Sequence, residues 1–304
     1  MRHAVRTAAA ALALLAGPAL AQTVTVETAT GPAEVQAAPE TVAVFDIAAL
    51  DTITALGQPV AGVPQMLYLD SLSDLSETAT PVGTLFEPDF EALAVMQPDL
   101  IVAGGRSSTQ VDALSRVAPT LDMTITGNDT VAAARARIAD YGRIFDREAA
   151  AEELTAQLDA TLDAARAAVE GKGDALILLT NGGKISAYGS GSRFGWLHSA
   201  LGIPQAAEGL DADTHGQAVS FEFVAETDPD WLLVIDRGAA IGAEGEAAAA
   251  TLDNPLVART TAAQEGQIVY LDPAPLYIAT GGAQAMTHTL DEIVAAFGAD
   301  DGEG

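Results

Sequence analysis

The sequence contains no cysteine, so disulfide bonds and an acylated N-terminal cysteine are both excluded. Lysine is almost absent as well, with Lys172 and Lys184 alone in 304 residues. The 14 Lys and Arg residues face 42 Asp and Glu residues, which gives a formal net charge of −28. Nucleic acid is therefore excluded as a partner, because it binds clustered cations, and an anionic membrane surface is disfavoured for the same reason.

Long apolar runs are also missing beyond residue 21, where no stretch reaches the ~18 apolar residues that a membrane-spanning helix needs. The first 21 residues do carry a basic start, Arg2 and Arg6, an apolar core at residues 8–15 and the small residues Ala19 and Ala21. This pattern predicts a secretory signal peptide that is cleaved after Ala21. A soluble, exported protein without a lipid anchor needs a closed compartment, which predicts the periplasm of a double-membraned bacterium.

About 283 residues follow the predicted cleavage site (304 minus 21), a length that favours two domains. Short apolar runs alternate with helical patterns over residues 41–146 and again over residues 171–298, which predicts two lobes with parallel sheets covered on both faces. Residues 22–40 lack periodicity and are predicted to be a mobile tail or a loosely attached first strand. Residues 299–304 are predicted to be a frayed acidic tail.

A long alanine-rich stretch over residues 130–169 separates the two lobes. It predicts two consecutive helices with a break near Asp146, the second of which bridges the lobes over residues 147–170. The bridging helix has one apolar face at helical spacing, made of Leu154, Leu158, Leu162 and Ala165.

One 17-residue pattern occurs twice, as FEALAVMQPDLIVAGGR at residues 90–106 and FEFVAETDPDWLLVIDR at residues 221–237. Each copy reads as a helix, a Pro-Asp break and a buried strand that ends near an arginine. The offset of 131 positions (221 minus 90) is close to half of the exported chain. The repeat therefore predicts two similar lobes that offer Arg106 and Arg237 to a shared cleft.

A third arginine, Arg193, lies in the loop Gly189-Ser190-Gly191-Ser192-Arg193-Phe194-Gly195, between a predicted strand and a helix. Exposed backbone N–H groups at such a helix start favour an anion. The loop has neither the spacing of a dinucleotide site nor a P-loop lysine nor a nucleophile elbow. Since ligands bind outside the carboxyl ends of strands in open α/β sheets, all three arginines are candidate ligand contacts.

Two further residues are candidate contacts. His215 lies in a polar loop, and Tyr277 precedes Gly281 and Gly282, where its phenolate could bind a hard ferric ion or its ring could stack. A zinc site built from His198, His215 and His288 is disfavoured by their wide separation. The repeat also pairs Glu91 with Glu222, each early in its helix, where the helix dipole favours an acid and where the pair could form a two-point docking surface.

These features together resemble the helix-bridged periplasmic substrate-binding proteins of iron-siderophore, haem and cobalamin ABC importers. The resemblance spans residues 41–297 and implies an α/β fold of two Rossmann-like lobes, with mainly parallel sheets joined by one long rigid helix. The finer motifs resemble the branch that binds ferric catecholate siderophores. They are Val82-Gly83-Thr84, Gly105-Arg106, the Ser192-Arg193-Phe194-Gly195 block, Asp236-Arg237, and Tyr277 with Gly281-Gly282.

The resemblance implies a role for each candidate residue. Arg106, Arg193 and Arg237 would contact an anionic Fe(III) siderophore, and His215 and Tyr277 would complete iron coordination where the siderophore leaves sites open. Glu91 and Glu222 would engage the permease of an inner-membrane ABC importer. We therefore expect a monomeric binding protein without an intrinsic cofactor. The open alternatives are ferric citrate or another hydroxycarboxylate complex, haem or cobalamin on the same scaffold, and, in another class, a secreted hydrolase using Ser192, His215 and Asp211 or Asp213.

Overall fold

A computed structural model describes residues 22–211, 215–245 and 247–298. The predicted signal peptide at residues 1–21 and the acidic tail at residues 299–304 lie outside the described residues, as does Asp213. Among the described residues, no helix combines the length and apolarity that crossing a bilayer requires.

The segment predicted as a mobile tail or a loosely attached first strand forms a β-hairpin, in which β1 (Thr23–Thr28) pairs antiparallel with β2 (Gly31–Gln36). Its Val26 and Val35 are buried in the central core, and this apolar anchoring explains why the segment is ordered. The short alternation of Val with polar residues was the signal that the sequence analysis missed.

The first sheet is entirely parallel, in the order β5-β4-β3-β6-β7. Its strands are β3 (Val42–Val44), β4 (Gly62–Val63), β5 (Thr80–Pro81), β6 (Leu100–Ala103) and β7 (Thr120–Asp122). The connecting α-helices are α1 (Ile47–Ala55), α2 (Leu75–Thr78), α3 (Phe90–Met96) and α4 (Val111–Leu114), with 3₁₀ turns at Asp70–Leu72 and Gly105–Gln110. Both faces of β6 are covered, which explains its continuous apolar run.

Two helices follow, α5 (Thr130–Phe145) and α6 (Glu148–Val169), with the predicted break at Asp146. Asp146 ends α5 with a left-handed backbone, φ 56°. The predicted apolar face of α6 is buried, and α6 packs against α5 and against the last helix of the chain. A side chain at Gly142 of α5 would lie 2.7 Å from the Cβ of Ala151, so the two helices cross closely there.

The second sheet is mixed, in the order β10-β9-β8-β11-β12. Its strands are β8 (Ala175–Thr180), β9 (Ile185–Tyr188), β10 (Gln217–Val219), β11 (Trp231–Asp236) and β12 (Ile268–Leu271), of which β9 runs antiparallel to both of its neighbours. The helices are α7 (Trp196–Leu201), α8 (Phe221–Thr227), α9 (Arg237–Ala240), α10 (Ala248–Leu252), α11 (Thr261–Gln264), α12 (Pro273–Tyr277) and α13 (Ala283–Gly298), with a 3₁₀ turn at Val257–Arg259.

The repeated sequence folds as a repeated structure. Helices α3 and α8 each start at the repeated Phe and each have seven residues. Each ends at a residue with a left-handed backbone, Gln97 with φ 54° and Asp228 with φ 47°. Each is followed by a buried strand that starts ten positions after the Phe (100 minus 90, 231 minus 221). The duplicated helix–strand unit is therefore confirmed, down to its caps.

The central core runs without interruption between the two sheets. It contains inward residues of β6 and β11, such as Val102 and Leu233, together with the buried faces of α1, α5, α6 and α13. The residues on the opposite face of each sheet form a smaller apolar cluster, one for each sheet. This arrangement confirms the fold class, while the residue boundaries of the lobes stay a prediction.

A buried carboxylate joins the first sheet's α1 to the last helix. Oδ2 of Asp51, whose exposure is 0%, accepts the backbone N–H groups of Gln284 (2.8 Å) and Ala285 (3.2 Å) at the start of α13. The Thr52 hydroxyl accepts the N–H of Ala283 (3.1 Å). Burial raises the pKa of Asp51 to about 7, although the two backbone hydrogen bonds act in the opposite direction.

The raised pKa of Asp51 predicts a pH-dependent stability. The neutral carboxyl is favoured in the fold, so its contribution is complete below the unfolded pKa of about 3.8 and is lost as the pH rises to about 7. Asp51→Asn keeps an acceptor for the two N–H groups without a titrating charge. The free energy of unfolding of Asp51→Asn relative to wild type should therefore increase between pH 4 and pH 7, by on the order of a few kcal/mol, and then stay constant.

Urea unfolding at several pH values measures this difference. Asp163→Asn, which removes a carboxylate that is 76% exposed on α6, is the matched control and should follow the wild-type profile. Parallel profiles for Asp51→Asn and wild type would show that Asp51 is charged in the fold.

Candidate functional site: an arginine-lined cleft

A cleft of about 800 Å³ is lined by residues from loops and helices that connect the strands of both sheets. All five residues that the sequence predicted as ligand contacts line it, namely Arg106, Arg193, His215, Arg237 and Tyr277. The structure therefore brings these candidates together, although the ligand role of each stays a prediction.

Arg106 follows β6 on the 3₁₀ turn at Gly105–Gln110. The turn begins tightly, because Gly105 has φ 51° and a side chain at Gly104 would lie 2.9 Å from the backbone N of Thr124. The Arg106 guanidinium reaches across to the second half of the chain, where it donates to the carbonyl oxygens of Tyr277 (3.0 Å) and Ile278 (3.2 Å).

Arg193 donates to the same Tyr277 carbonyl at 2.8 Å, so one backbone oxygen holds two guanidiniums. Its Cζ lies 4.5 Å from the ring centroid of Tyr277 and 4.9 Å from that of Phe194, within the range of cation–π contacts. Burial lowers the pKa of Arg193, and the nearby charge of Arg106 lowers it further. The two like charges are thus held close together by a shared acceptor.

The prediction that Arg193 lies at the carboxyl edge of parallel strands is wrong, although Arg193 does line the cleft. Because β9 is antiparallel, its carboxyl end at Tyr188 is registered with Ile177 in the middle of β8, whereas Asp236 of β11 is registered with Thr180 at the end of β8. Arg193 reaches the cleft through the loop that follows β9, and not from the carboxyl edge of the parallel strands.

Tyr277 lies at the centre of the three arginines. Its phenol oxygen accepts a hydrogen bond from Nε of Arg237 (3.2 Å), whose Nη1 also donates to Oδ1 of Asn181 (3.3 Å). The Cζ of Arg106 lies 5.1 Å from the centroid of the Tyr277 ring. Burial alone would raise the pKa of Tyr277, but the hydrogen bond from Arg237 and the charges of the three guanidiniums outweigh it, so this pKa lies below its ordinary value of 10.0.

His215 lies exposed at the cleft, next to the part of its loop that the structure does not describe. Its carbonyl accepts a hydrogen bond from the phenol of Tyr188 (2.8 Å), which fixes the backbone at this point. The other two histidines lie elsewhere, His198 buried in α7 and His288 exposed on α13. Within the described ranges, no three His, Asp or Glu side chains are grouped so that they could hold a metal ion.

Arg137 is a cleft residue that the sequence analysis did not single out, and it forms an ion pair with Asp140 of the same helix (3.4 Å). Its side chain is 13% exposed and donates to the carbonyl oxygens of Met123 (3.2 Å), Thr124 (3.3 Å) and Glu27. It therefore ties the cleft wall after β7 to the N-terminal hairpin. Helical spacing from the buried Ala134 and Tyr141 was the signal that could have identified it.

Asp46 was also missed, and it is the one acidic residue among the described residues that line the cleft. One of its oxygens accepts the N–H of Ala49 (2.7 Å) and caps α1. Burial raises the pKa of Asp46, against the opposing effects of this hydrogen bond and of the Arg106 charge. The cleft is thus strongly cationic, with Asp46 as a single half-buried acid near Arg106.

Glu91 and Glu222 lie outside the cleft, exposed in the first turns of α3 and α8. Their helices are capped by Asp89 and Ser220. The pKa of Glu222 is lowered by hydrogen bonding to its own backbone N–H and to Ser220. The two acids are thus equivalent by sequence repeat, by position in the helix and by exposure.

Comparison with known proteins shows the family of the chain. A family model described as periplasmic binding protein matches residues 42–275. The chain is 36% identical to the petrobactin-binding protein YclQ of Bacillus subtilis (strain 168) over 84% of this chain and 81% of that protein. The crystal structure of YclQ covers 91% of this chain and 99% of its own, with a TM-score of 0.84 and 33% identity.

Two further solved structures are similar. A TroA-like periplasmic binding protein from Xylanimonas cellulosilytica has a TM-score of 0.83 and 38% identity, covering 90% of this chain and 98% of its own. The periplasmic catecholate-siderophore binding protein VctP from Vibrio cholerae has a TM-score of 0.82 and 31% identity, covering 92% of this chain and 100% of its own.

The contacts around Tyr277 predict the outcome of a phenol titration. Arg237→Gln removes both the hydrogen bond to the phenol and one positive charge, so the pKa of Tyr277 should rise. Ultraviolet absorbance of tyrosinate, followed from neutral to alkaline pH, measures this change. Tyr277→Phe serves as the control that identifies which step belongs to Tyr277. An earliest step that is identical in Arg237→Gln and wild type would contradict the assignment.

Proposed function

The chain belongs to the periplasmic binding protein family, and from this membership we propose that it captures an anionic ferric siderophore in the arginine-lined cleft and delivers it to an ABC permease. We propose that it acts as a monomer in the periplasm. The observation that carries the proposal is the convergence of Arg106, Arg193 and Arg237 on Tyr277 in one cleft of sufficient size for a small chelate.

The electrostatics of the cleft support an anionic ligand. A guanidinium has five N–H donors, and the contacts around Tyr277 use at most two of them on each arginine. The remaining donors are available to oxygens of a ligand. The protein as a whole has a net charge of −28, so attraction must come from these local charges in a partly desolvated site, where each interaction is stronger than in water.

The relatives favour a siderophore among the possible ligands. YclQ is described as binding petrobactin and VctP as binding catecholate siderophores, and both are more than 30% identical to this chain. A ferric tris-catecholate carries about three negative charges, which matches three guanidiniums in number. Ferric citrate, haem and cobalamin remain the alternatives on the same scaffold.

Capture without chemistry is the proposed role, as in the family of binding proteins to which the chain belongs. The hydrolase alternative finds no support at Ser192, since its hydroxyl donates to the carbonyl oxygen of Gly189 at 2.6 Å, which does not activate it as a nucleophile. The continuous core through α6 and α13 favours a modest closure of the cleft over a wide hinge motion.

His215 and Tyr277 are the proposed side chains for iron coordination sites that a siderophore leaves open. The lowered pKa of Tyr277 favours this role, because a phenolate is a ligand for a hard ferric ion and the proton is lost more easily here. His215 lies exposed at the same cleft.

Alanine substitution of each cleft arginine tests the function. Arg106→Ala, Arg193→Ala and Arg237→Ala should each weaken ferric siderophore binding by about tenfold or more, because each removes a charge-assisted hydrogen bond. Quenching of tryptophan fluorescence measures the affinity. Arg116→Ala, on an exposed position outside the cleft, is the matched control. Wild-type affinity in all three variants would overturn the proposed function.

The paired acids provide a separate test of delivery. Glu91→Lys and Glu222→Lys should leave siderophore affinity unchanged, because both positions lie outside the cleft, and should reduce permease-coupled uptake through charge reversal. Uptake of the labelled ferric complex by cells or by reconstituted permease measures this step. Glu226→Lys, on the same helix as Glu222, is the matched control. Undiminished uptake by both docking variants would contradict the docking role.

A further inference from the structure

The cationic cleft also has an exposed aromatic side chain in its lining, which the charge of a ligand does not explain. Phe86 is 56% exposed and lines the cleft with the arginines. A single exposed phenylalanine on a surface is ordinary, but one that faces a ligand cleft loses its contact with water only when the cleft is filled. Its contribution therefore depends on what the ligand places against it.

The turn that carries Phe86 is held by its own hydrogen bonds. The N–H of Thr84 donates to the carbonyl of Glu87 (2.9 Å), and the Thr84 hydroxyl accepts the N–H groups of Phe86 (3.2 Å) and Glu87 (2.9 Å). Gly83 has φ 102°, and a side chain there would collide with the Glu87 carbonyl. The backbone at Phe86 is thus fixed before any ligand arrives, so its ring can be used without a large entropic cost.

A second aromatic residue, Tyr68, lines the cleft on an unusual backbone. It has φ 65°, and the N–H of Leu69 donates to the carbonyl of Leu67 at 2.8 Å, which closes a three-residue turn around it. This turn is a rare and strained one for a bulky residue. Strain of this kind persists where the surrounding structure holds it, and such residues cluster at ligand sites.

Both aromatic residues lie in loops at the carboxyl ends of strands of the first sheet. Tyr68 follows β4 and Phe86 follows β5, two parallel strands in the same sheet as β6, which leads to Arg106. A hydrogen bond from the N–H of Gln65 to the carbonyl of Gly83 (2.8 Å) joins the two loops. Tyr68 also packs in part against the central core. We call Tyr68 and Phe86 the aromatic rim.

We propose that the aromatic rim packs against aryl rings of the bound chelate, so that the cleft selects aromatic iron complexes over aliphatic hydroxycarboxylate ones. This inference rests on the proposed function and deepens it. The arginines read negative charge, which ferric citrate and ferric catecholate share, and therefore do not separate the two classes. An aromatic ring at the rim separates the two classes of complex. Aromatic pairs gain free energy from offset or edge-to-face contact, and an aliphatic carboxylate offers no such surface.

Substitution of Phe86 tests the inference with two ligands, ferric catecholate formed with an excess of catechol and ferric citrate. Phe86→Ala should weaken ferric catecholate binding by about tenfold and leave ferric citrate binding unchanged. Phe86→Leu, which keeps an apolar side chain, should give an intermediate loss. Tyr68→Leu should act in the same direction as Phe86→Ala. Fluorescence quenching or equilibrium dialysis with radioactive iron measures both affinities.

Phe90→Ala is the matched control, because Phe90 is 41% exposed at the start of α3 and does not line the cleft. Arg237→Ala should weaken both complexes. If Arg237→Ala weakens both while Phe86→Ala behaves like Phe90→Ala, the aromatic rim is wrong and the proposed function stands. An equal loss of both complexes in Phe86→Ala also overturns the rim as a selective element. If the wild type binds neither complex, the proposed function is overturned, and with it the aromatic rim proposal that rests on it.

Discussion

A single backbone oxygen organises the binding cleft. The carbonyl of Tyr277 accepts hydrogen bonds from Arg106 and Arg193, one from each half of the chain, and thereby holds two positive charges near each other. Their mutual repulsion is offset by this acceptor, by the carbonyl of Ile278 and by the face of the Tyr277 ring. The guanidiniums are therefore held in place without a ligand, so the proposed capture of an anion would need little reorganisation.

The fold supplies the rigidity that this arrangement requires. The core passes from one sheet to the other through α6 and α13, and Asp51 and Thr52 of α1 hold the first N–H groups of α13. Arg137 fastens the cleft wall after β7 to the hairpin at the N-terminal side. The cleft is therefore supported on several sides, partly by residues such as Arg137 that also line it.

Much of this could be predicted from the sequence, because it depends on local pattern. The repeat gave the seven-residue helices, the buried strands and the two arginines, and the break at Asp146 followed from helix periodicity. Long-range pairing was harder. Nothing in residues 185–188 indicates that β9 is antiparallel, and that direction alone decides how Arg193 reaches the cleft. Arg137 was missed because its partners outside its own helix are backbone carbonyls, which leave no mark on residue type. The aromatic rim was missed because Tyr68 owes its position to a backbone turn.

The run of residues 277–283 connects the cleft to the joint at Asp51. At one end the Tyr277 carbonyl accepts hydrogen bonds from two guanidiniums. At the other end the N–H of Ala283 donates to the Thr52 hydroxyl, next to Asp51, whose carboxyl accepts the two N–H groups that follow. Between these two ends, Gly281 has φ 91°, and a side chain at Gly282 would lie 2.7 Å from Oδ2 of Asp51. The segment is therefore closely packed along its length. A shift of the Tyr277 carbonyl would therefore also move the start of α13 and its contacts with Asp51 and Thr52, so the wall of the cleft and the packing of α13 against α1 form one mechanical unit.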